Sequence, residues 1–153
     1  MNNIEIDKKA PEIVGIDQFG NEIKLSDYLG KKLIIFFYPK DNTPGCTAQA
    51  CNLRDNYSIL QKAGFEIIGI SIDSEASHQK FSDKHSLPFP LLPDTEKKIV
   101  NDYGVWGEKK FMGRTFLGTK RTTFVIDENG NIEKIFDKVK TKAHAEQILE
   151  SYK

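Results

Sequence analysis

The chain carries only two cysteines, Cys46 and Cys51, five positions apart. Cys46 follows Tyr38-Pro39-Lys40-Asp41-Asn42-Thr43-Pro44-Gly45, a stretch that leaves an apolar run and enters a helical pattern. Thr43 suits the cap of that helix and Pro44 its first position. Cys46 therefore falls in the first helical turn. Free backbone N–H groups and the positive end of the helix dipole favour an anion there. The thiolate is the reactive form of cysteine, and such positions lower a thiol pKa. The pair is not spaced C-x-x-C, the pattern of dithiol redox motifs. Structural zinc usually takes four Cys or His ligands at short spacings. His78, His85 and His144 lie far along the chain, so neither a metal nor a cofactor is expected.

Position alone leaves two readings of Cys46 open. It begins an apolar stripe of Cys46, Ala50, Leu53, Tyr57 and Leu60 at helical spacing, where a cysteine can serve only as core packing. Cys51 is different. It lies about 140° around an ideal helix from Cys46, on the face of Asp55, Ser58 and Lys62. Helix rise and radius put the two Cα atoms about 8–9 Å apart, whereas a disulfide usually needs less than about 7 Å. The two sulfurs can bond only if the helix start unwinds; otherwise Cys51 is incidental.

The elements that position these residues follow from pattern. Ile13–Asp17 and Glu22–Leu25, around a turn containing Gly20-Asn21, read as an N-terminal hairpin. Leu33–Tyr38 and Phe65–Ile72 are short, β-branched apolar runs, expected as buried strands. The helix between them, from Pro44 to Ala63-Gly64, makes a parallel crossover. Further helices are expected over Glu75–Lys84, Thr95–Tyr103 and Ala143–Tyr152. Leu87–Pro93 reads as a loop with a short extended piece. Thr122–Asp127 and Ile132–Phe136 flank Glu128-Asn129-Gly130-Asn131, a strong hairpin signal. Trp106, Phe111 and Phe116 flank a Gly-containing loop. His78 and His85, seven apart on one helix, read as surface residues. Asp73 and Asp127 end strands and call for no catalytic role. The sum is a single α/β domain over residues 1–153, with a mixed sheet and helices on its faces.

Bulk properties narrow the function. The 153 residues include 22 basic and 22 acidic side chains, a formal net charge of zero. No nucleic-acid or membrane-surface partner is implied. No apolar run approaches the roughly 20 residues of a membrane span. The opening MNNIEIDKKAPEIVGID lacks a secretory pattern, so a cytoplasmic location is expected. Thiols stay reduced there, and a cysteine pair is more often catalytic, redox-sensing or metal-binding than structural.

Taken together, these segments resemble a peroxiredoxin of the bacterioferritin-comigratory-protein or Q type over nearly the whole chain. Tyr38-Pro39 followed by Asp41-Asn42-Thr43-Pro44-Gly45-Cys46-Thr47 is similar to the active-site signature of that family. Arg121, in Lys120-Arg121-Thr122-Thr123-Phe124-Val125-Ile126-Asp127, matches its late arginine. Ala10-Pro11 and the Gly15-to-Leu25 hairpin match as well. The resemblance implies a thioredoxin-like fold and a monomeric thiol peroxidase acting on hydroperoxides. It implies Cys46 as the peroxidatic nucleophile and Cys51 as the resolving cysteine, with a thioredoxin or similar dithiol as reductant. Arg121 would hold thiolate and peroxide with permanently charged donors. Thr43 would hydrogen-bond sulfur and peroxide, and Pro39 would pack over the site. Two rivals are a thioredoxin-like dithiol oxidoreductase and a non-catalytic binding module. The missing C-x-x-C argues against the first, and the full motif set against the second.

Overall fold

The structure is a computed structural model and describes residues 4–153. Met1–Asn3, part of the opening read for a leader, lie outside the described residues. The chain begins with a hairpin, β1 (Val14–Ile16) and β2 (Glu22–Lys24), and a short 3-10 turn at Leu25–Tyr28. The apolar run forms β3 (Lys32–Phe37). Two helices follow, α1 (Pro44–Asp55) and α2 (Tyr57–Lys62), then β4 (Phe65–Ser71). Next come α3 (Glu75–His85), β5 (Leu91–Pro93) and α4 (Lys98–Asp102). The hairpin of β6 (Trp106–Phe111) and β7 (Arg114–Thr119) precedes β8 (Thr122–Ile126), β9 (Ile132–Phe136) and α5 (His144–Glu150).

Five strands form the central sheet in the order β5-β4-β3-β8-β9. β3, β4 and β5 run parallel, while β8 and β9 pair antiparallel. The period-2 alternation of β3 explains the layering. Ile34, Phe36 and Tyr38 join Cys46, Ala50, Leu53, Leu60, Phe81 and Ile148 on one face. Leu33, Ile35 and Phe37 join Ile13, Leu25, Ile99, Val100 and Tyr103 on the other. Among the described residues, no helix is long and apolar enough to cross a membrane.

Several boundaries differ from the pattern reading. The long helix breaks at Asn56, which leaves helical geometry at φ −108° and ψ 9°. Its side chain donates to the Asn52 carbonyl at 2.8 Å, competing with the backbone ladder. α4 is shorter than expected because Lys97 is left-handed at φ 61°, and the Asp94 carboxylate accepts from the Val100 amide instead. The Trp106–Phe116 stretch is a hairpin rather than a loop, turned by Met112 and Gly113 at φ 51° and 79°.

Candidate active site

The sheet topology decides what meets Cys46. β3 ends at Phe37, and Tyr38 still donates to the Ile70 carbonyl at 3.1 Å. Pro39 has no N–H to continue the ladder, so the strap from Pro39 to Gly45 leaves the sheet and turns into α1. β8 runs antiparallel to β3 and pairs Thr122 with Phe37. The residue before β8, Arg121, therefore arrives at the carboxyl end of β3, beside the start of α1. Its Nη2 donates to the Cys46 sulfur at 3.3 Å, and its Nη1 donates to Gln49 Oε1 at 2.8 Å. Cys46 is only 1% exposed.

Gly45 makes this approach possible. A Cβ there would lie 3.2 Å from Arg121 Nη2, so the guanidinium rests against bare backbone. Gln49, one helical turn beyond Cys46 and fully buried, fixes the other arm of the fork. Sequence reasoning passed over Gln49, although a polar residue one turn along an apolar stripe was a usable signal. It also passed over Lys109. Burial and repulsion from Arg121 hold the Lys109 amine below its ordinary pKa, while Cys46 pulls the other way. Lys109 donates to the Thr119 carbonyl at 2.8 Å, so the β6–β7 hairpin brings a second cation towards the sulfur.

Thr43 caps α1 by backbone position alone. Its carbonyl accepts from the Thr47 amide at 2.9 Å, and its hydroxyl donates to the Lys40 carbonyl at 2.8 Å. The expected side-chain cap is absent there. Pro39 is half-buried at the strand end. Cys51 is partly exposed on the outer side of α1, and both thiols are free. Thus Cys46 and Arg121 touch, Thr43 and Pro39 belong to the strap leading to them, and Cys51 stands apart.

Two histidines lie close by. His144 Nε2 faces Thr123 Oγ1 at 2.8 Å and Nδ1 faces Gln147 Oε1 at 2.9 Å. Burial pushes its pKa down to about 4, with repulsion from Arg121 helping and the Gln147 bond opposing. His78 corrects the surface reading: it is fully buried, with Nδ1 2.7 Å from Asp41 Oδ2. Its helix looks polar in sequence, and its partner lies 37 residues away.

Comparison with known proteins shows the family. The model of the AhpC/TSA family matches residues 6–135. The chain is 44% identical to peroxiredoxin Bcp of Escherichia coli over 149 residues, covering 97% of this chain and 96% of that one. It is 45% identical to peroxiredoxin Bcp of Bacillus subtilis over 150 residues, covering 98% and 96%. The chain belongs to the AhpC/TSA family of peroxiredoxins. A solved structure of the bacterioferritin comigratory protein of Xanthomonas campestris, from work on its alkyl peroxide reduction, superposes with a TM-score of 0.87 at 32% identity. That match covers 96% of each chain. Peroxidoxin BcpB of Mycobacterium tuberculosis gives 0.84 at 29% identity, over 97% and 96% of the two chains. The fold is thus the thioredoxin-like fold of peroxiredoxins, and the protein is a thiol peroxidase. Its substrate is a peroxide and its electrons come from a thiol reductant.

Proposed function

We propose that Cys46 is the peroxidatic nucleophile and Cys51 the resolving thiol. The observation that carries the assignment is the 3.3 Å contact between Arg121 Nη2 and the Cys46 sulfur in the first turn of α1. A permanently charged donor there favours a sulfur anion. The Cys46 thiolate attacks the distal oxygen of a hydroperoxide, and the O–O bond breaks. The leaving alkoxide or hydroxide takes a proton and departs as alcohol or water. Sulfur is oxidised to sulfenic acid. Arg121 stabilises the charge that builds on the peroxide oxygens. Thr43 adds a hydroxyl, and Pro39 keeps water off the strap.

The Cys51 thiolate then attacks the Cys46 sulfur. An S–S bond forms, the S–O bond breaks, and the hydroxide takes a proton and leaves as water. A dithiol protein of the thioredoxin type reduces the disulfide and becomes a disulfide itself. Five residues of helix keep the Cα atoms about 8–9 Å apart, beyond disulfide reach. Turnover therefore needs the first turns of α1 to open. The chain works as a monomer in this reading.

Two variants test the assignment. Cys46→Ser should consume no peroxide. Cys51→Ser should consume about one equivalent and then stop, with a sulfenic acid trapped on Cys46 and seen by mass spectrometry. Sustained turnover of Cys51→Ser with thioredoxin as the only reductant would remove Cys51 from the mechanism.

A further inference from the structure

We propose that Asp41 and His78 are positioning residues for peroxide reduction, a buried hydrogen-bonded pair that fixes the strap on which Thr43 and Cys46 ride. The proposal rests on the reading of Cys46 as nucleophile. Asp41 is 5% exposed and His78 is 0% exposed. The Asp41 carboxylate accepts from Tyr38 Oη at 2.6 Å and from Ser77 Oγ at 2.7 Å, and it faces His78 Nδ1 at 2.7 Å. The other ring nitrogen of His78 faces the Leu92 carbonyl at 3.1 Å. A neutral imidazole has one donor, whereas both nitrogens here face acceptors. Both ring nitrogens are therefore engaged, one by a carboxylate and one by a backbone carbonyl.

The pair stitches together four segments around the carboxyl ends of the parallel strands. Tyr38 belongs to the end of β3, Ser77 and His78 to α3, and Leu92 to β5. The Asp41 amide adds the end of β4, donating to Asp73 Oδ2 at 2.8 Å, an oxygen that also accepts from Ser71 Oγ at 2.7 Å. Directly after Asp41 the chain turns through Asn42 at φ 62°. Only four residues separate Asp41 from Cys46. The strap therefore hangs between two fixed points, the Asp41–His78 pair at one end and the guanidinium of Arg121 at the other.

Stability alone is a weak reason for such a pair. Burying polar groups costs about as much as their hydrogen bonds return, and an apolar pair would hold these layers as well. What a buried pair with four directed hydrogen bonds supplies is one geometry. Peroxide reduction demands that geometry, because sulfur, both oxygens and the donors must line up, and a 1 Å displacement can cost about 100-fold in rate.

The test compares two reactions of the same thiol in the Cys51→Ser background. One is oxidation of Cys46 by hydrogen peroxide, followed by sulfenic-acid trapping. The other is alkylation by iodoacetamide, which needs the thiolate but not the aligned donors. Urea unfolding is recorded for each variant. His78→Gln and Asp41→Ala should slow peroxide oxidation about 10- to 100-fold and change alkylation less than about threefold. Asp41→Asn, which still offers His78 an acceptor, should recover much of the loss. Asp41→Ala combined with His78→Ala should be no slower than the worse single variant, because the two act as one unit. Peroxide rates of His78→Gln and Asp41→Ala that stay at the parent value, or that fall in step with alkylation, would overturn the proposal and leave the pair a packing feature. If the alanine variants do not fold, His78→Gln decides by the same ratio of rates, with Asp41→Asn as the conservative control. Peroxide consumption by Cys46→Ser would instead sink the underlying assignment.

Discussion

The two ends of the short helical stretch between Cys46 and Cys51 are held in different ways. At the Cys46 end the fastening is charged and buried: Arg121 reaches across from β8 to the sulfur and to Gln49. Just past Cys51 the fastening is largely neutral and more exposed. Asn52 accepts from the Ala145 amide at 2.7 Å, and donates to the Lys142 carbonyl at 3.2 Å and to the Glu146 carboxylate at 2.9 Å. In the proposed cycle the first set aligns a reacting atom and loosens after each peroxide. The second ties α1 to α5 just beyond Cys51. One helix thus carries a part built for chemistry and a part built to stay folded.

The strongest way to break this comparison is to remove the charged fastening alone. Arg121→Gln should slow oxidation of Cys46 by hydrogen peroxide about 10²- to 10³-fold, the cost of deleting a donor aimed at developing charge. Alkylation of Cys51, measured in the Cys46→Ser background, should change less than about twofold, since no charge is moved near it. A matching loss at both thiols would mean that Arg121 supports the helix as a whole.

Acid should act on the same end through His144. Its pKa is pushed from the usual 6.5 down to about 4. As pH falls below 6.5, the unfolded chain takes up a proton that the folded one refuses. Stability present above pH 6.5 is then lost down to about pH 4, in total about 3 kcal/mol. Asp41 is otherwise placed. Burial pushes its carboxyl up, but the His78 bond and charge, with Tyr38 and Ser77, outweigh this and hold it low. Its loss of stability begins only near its unfolded value of 3.8 and below. His85 is also held below its ordinary value, by burial and by Lys84 and Arg54. Urea unfolding across pH 4 to 7 should therefore show a slope that His144→Gln flattens. An unchanged slope in that variant would assign the effect to His85.

The exposed fastening should respond with the opposite sign. Asn52→Ala removes three bonds worth about 0.5–1 kcal/mol each, so the opened state should gain about 10- to 100-fold in population. Closure of the Cys46–Cys51 disulfide, followed by quenched alkylation and mass, should speed up by a similar factor. Slower closure would mean that Asn52 helps Cys51 approach rather than holding it back.

How much of this was legible before the fold was known depends on the range of the interaction. β3 and β4 announced themselves as short β-branched runs, and the start of α1 as Thr43-Pro44, because those signals are local. Cys51 was placed on the outer face by helical periodicity alone. The contact of Arg121 with Cys46 was carried by resemblance, since its physical cause is the antiparallel register of β8 on β3. His78 was misplaced on the surface because only Asp41, distant in sequence, explains a buried histidine. The β6–β7 hairpin escaped because its strands alternate weakly and expose Phe111, Met112, Phe116 and Leu117. Asn56 broke the long helix through its own side chain, which periodicity does not register.

The smallest effect is expected at Gly45, where one methyl group bears on both halves of the comparison. A Cβ there would stand 3.2 Å from Arg121 Nη2 and 4.0 Å from Thr141 Cγ2. The guanidinium must give by a few tenths of an ångström, which weakens its hold on the sulfur. Alanine also favours helix over glycine by up to about 1 kcal/mol, so the first turn of α1 becomes harder to open. Gly45→Ala should therefore slow peroxide oxidation of Cys46 and also slow disulfide closure, each by about two- to fivefold, as a change of up to 1 kcal/mol allows. Asn52→Ala should speed closure and leave oxidation nearly unchanged. The contrast locates where opening starts. If Gly45→Ala speeds closure, the first turn is not the part that unwinds, and the helix opens from the Cys51 end instead.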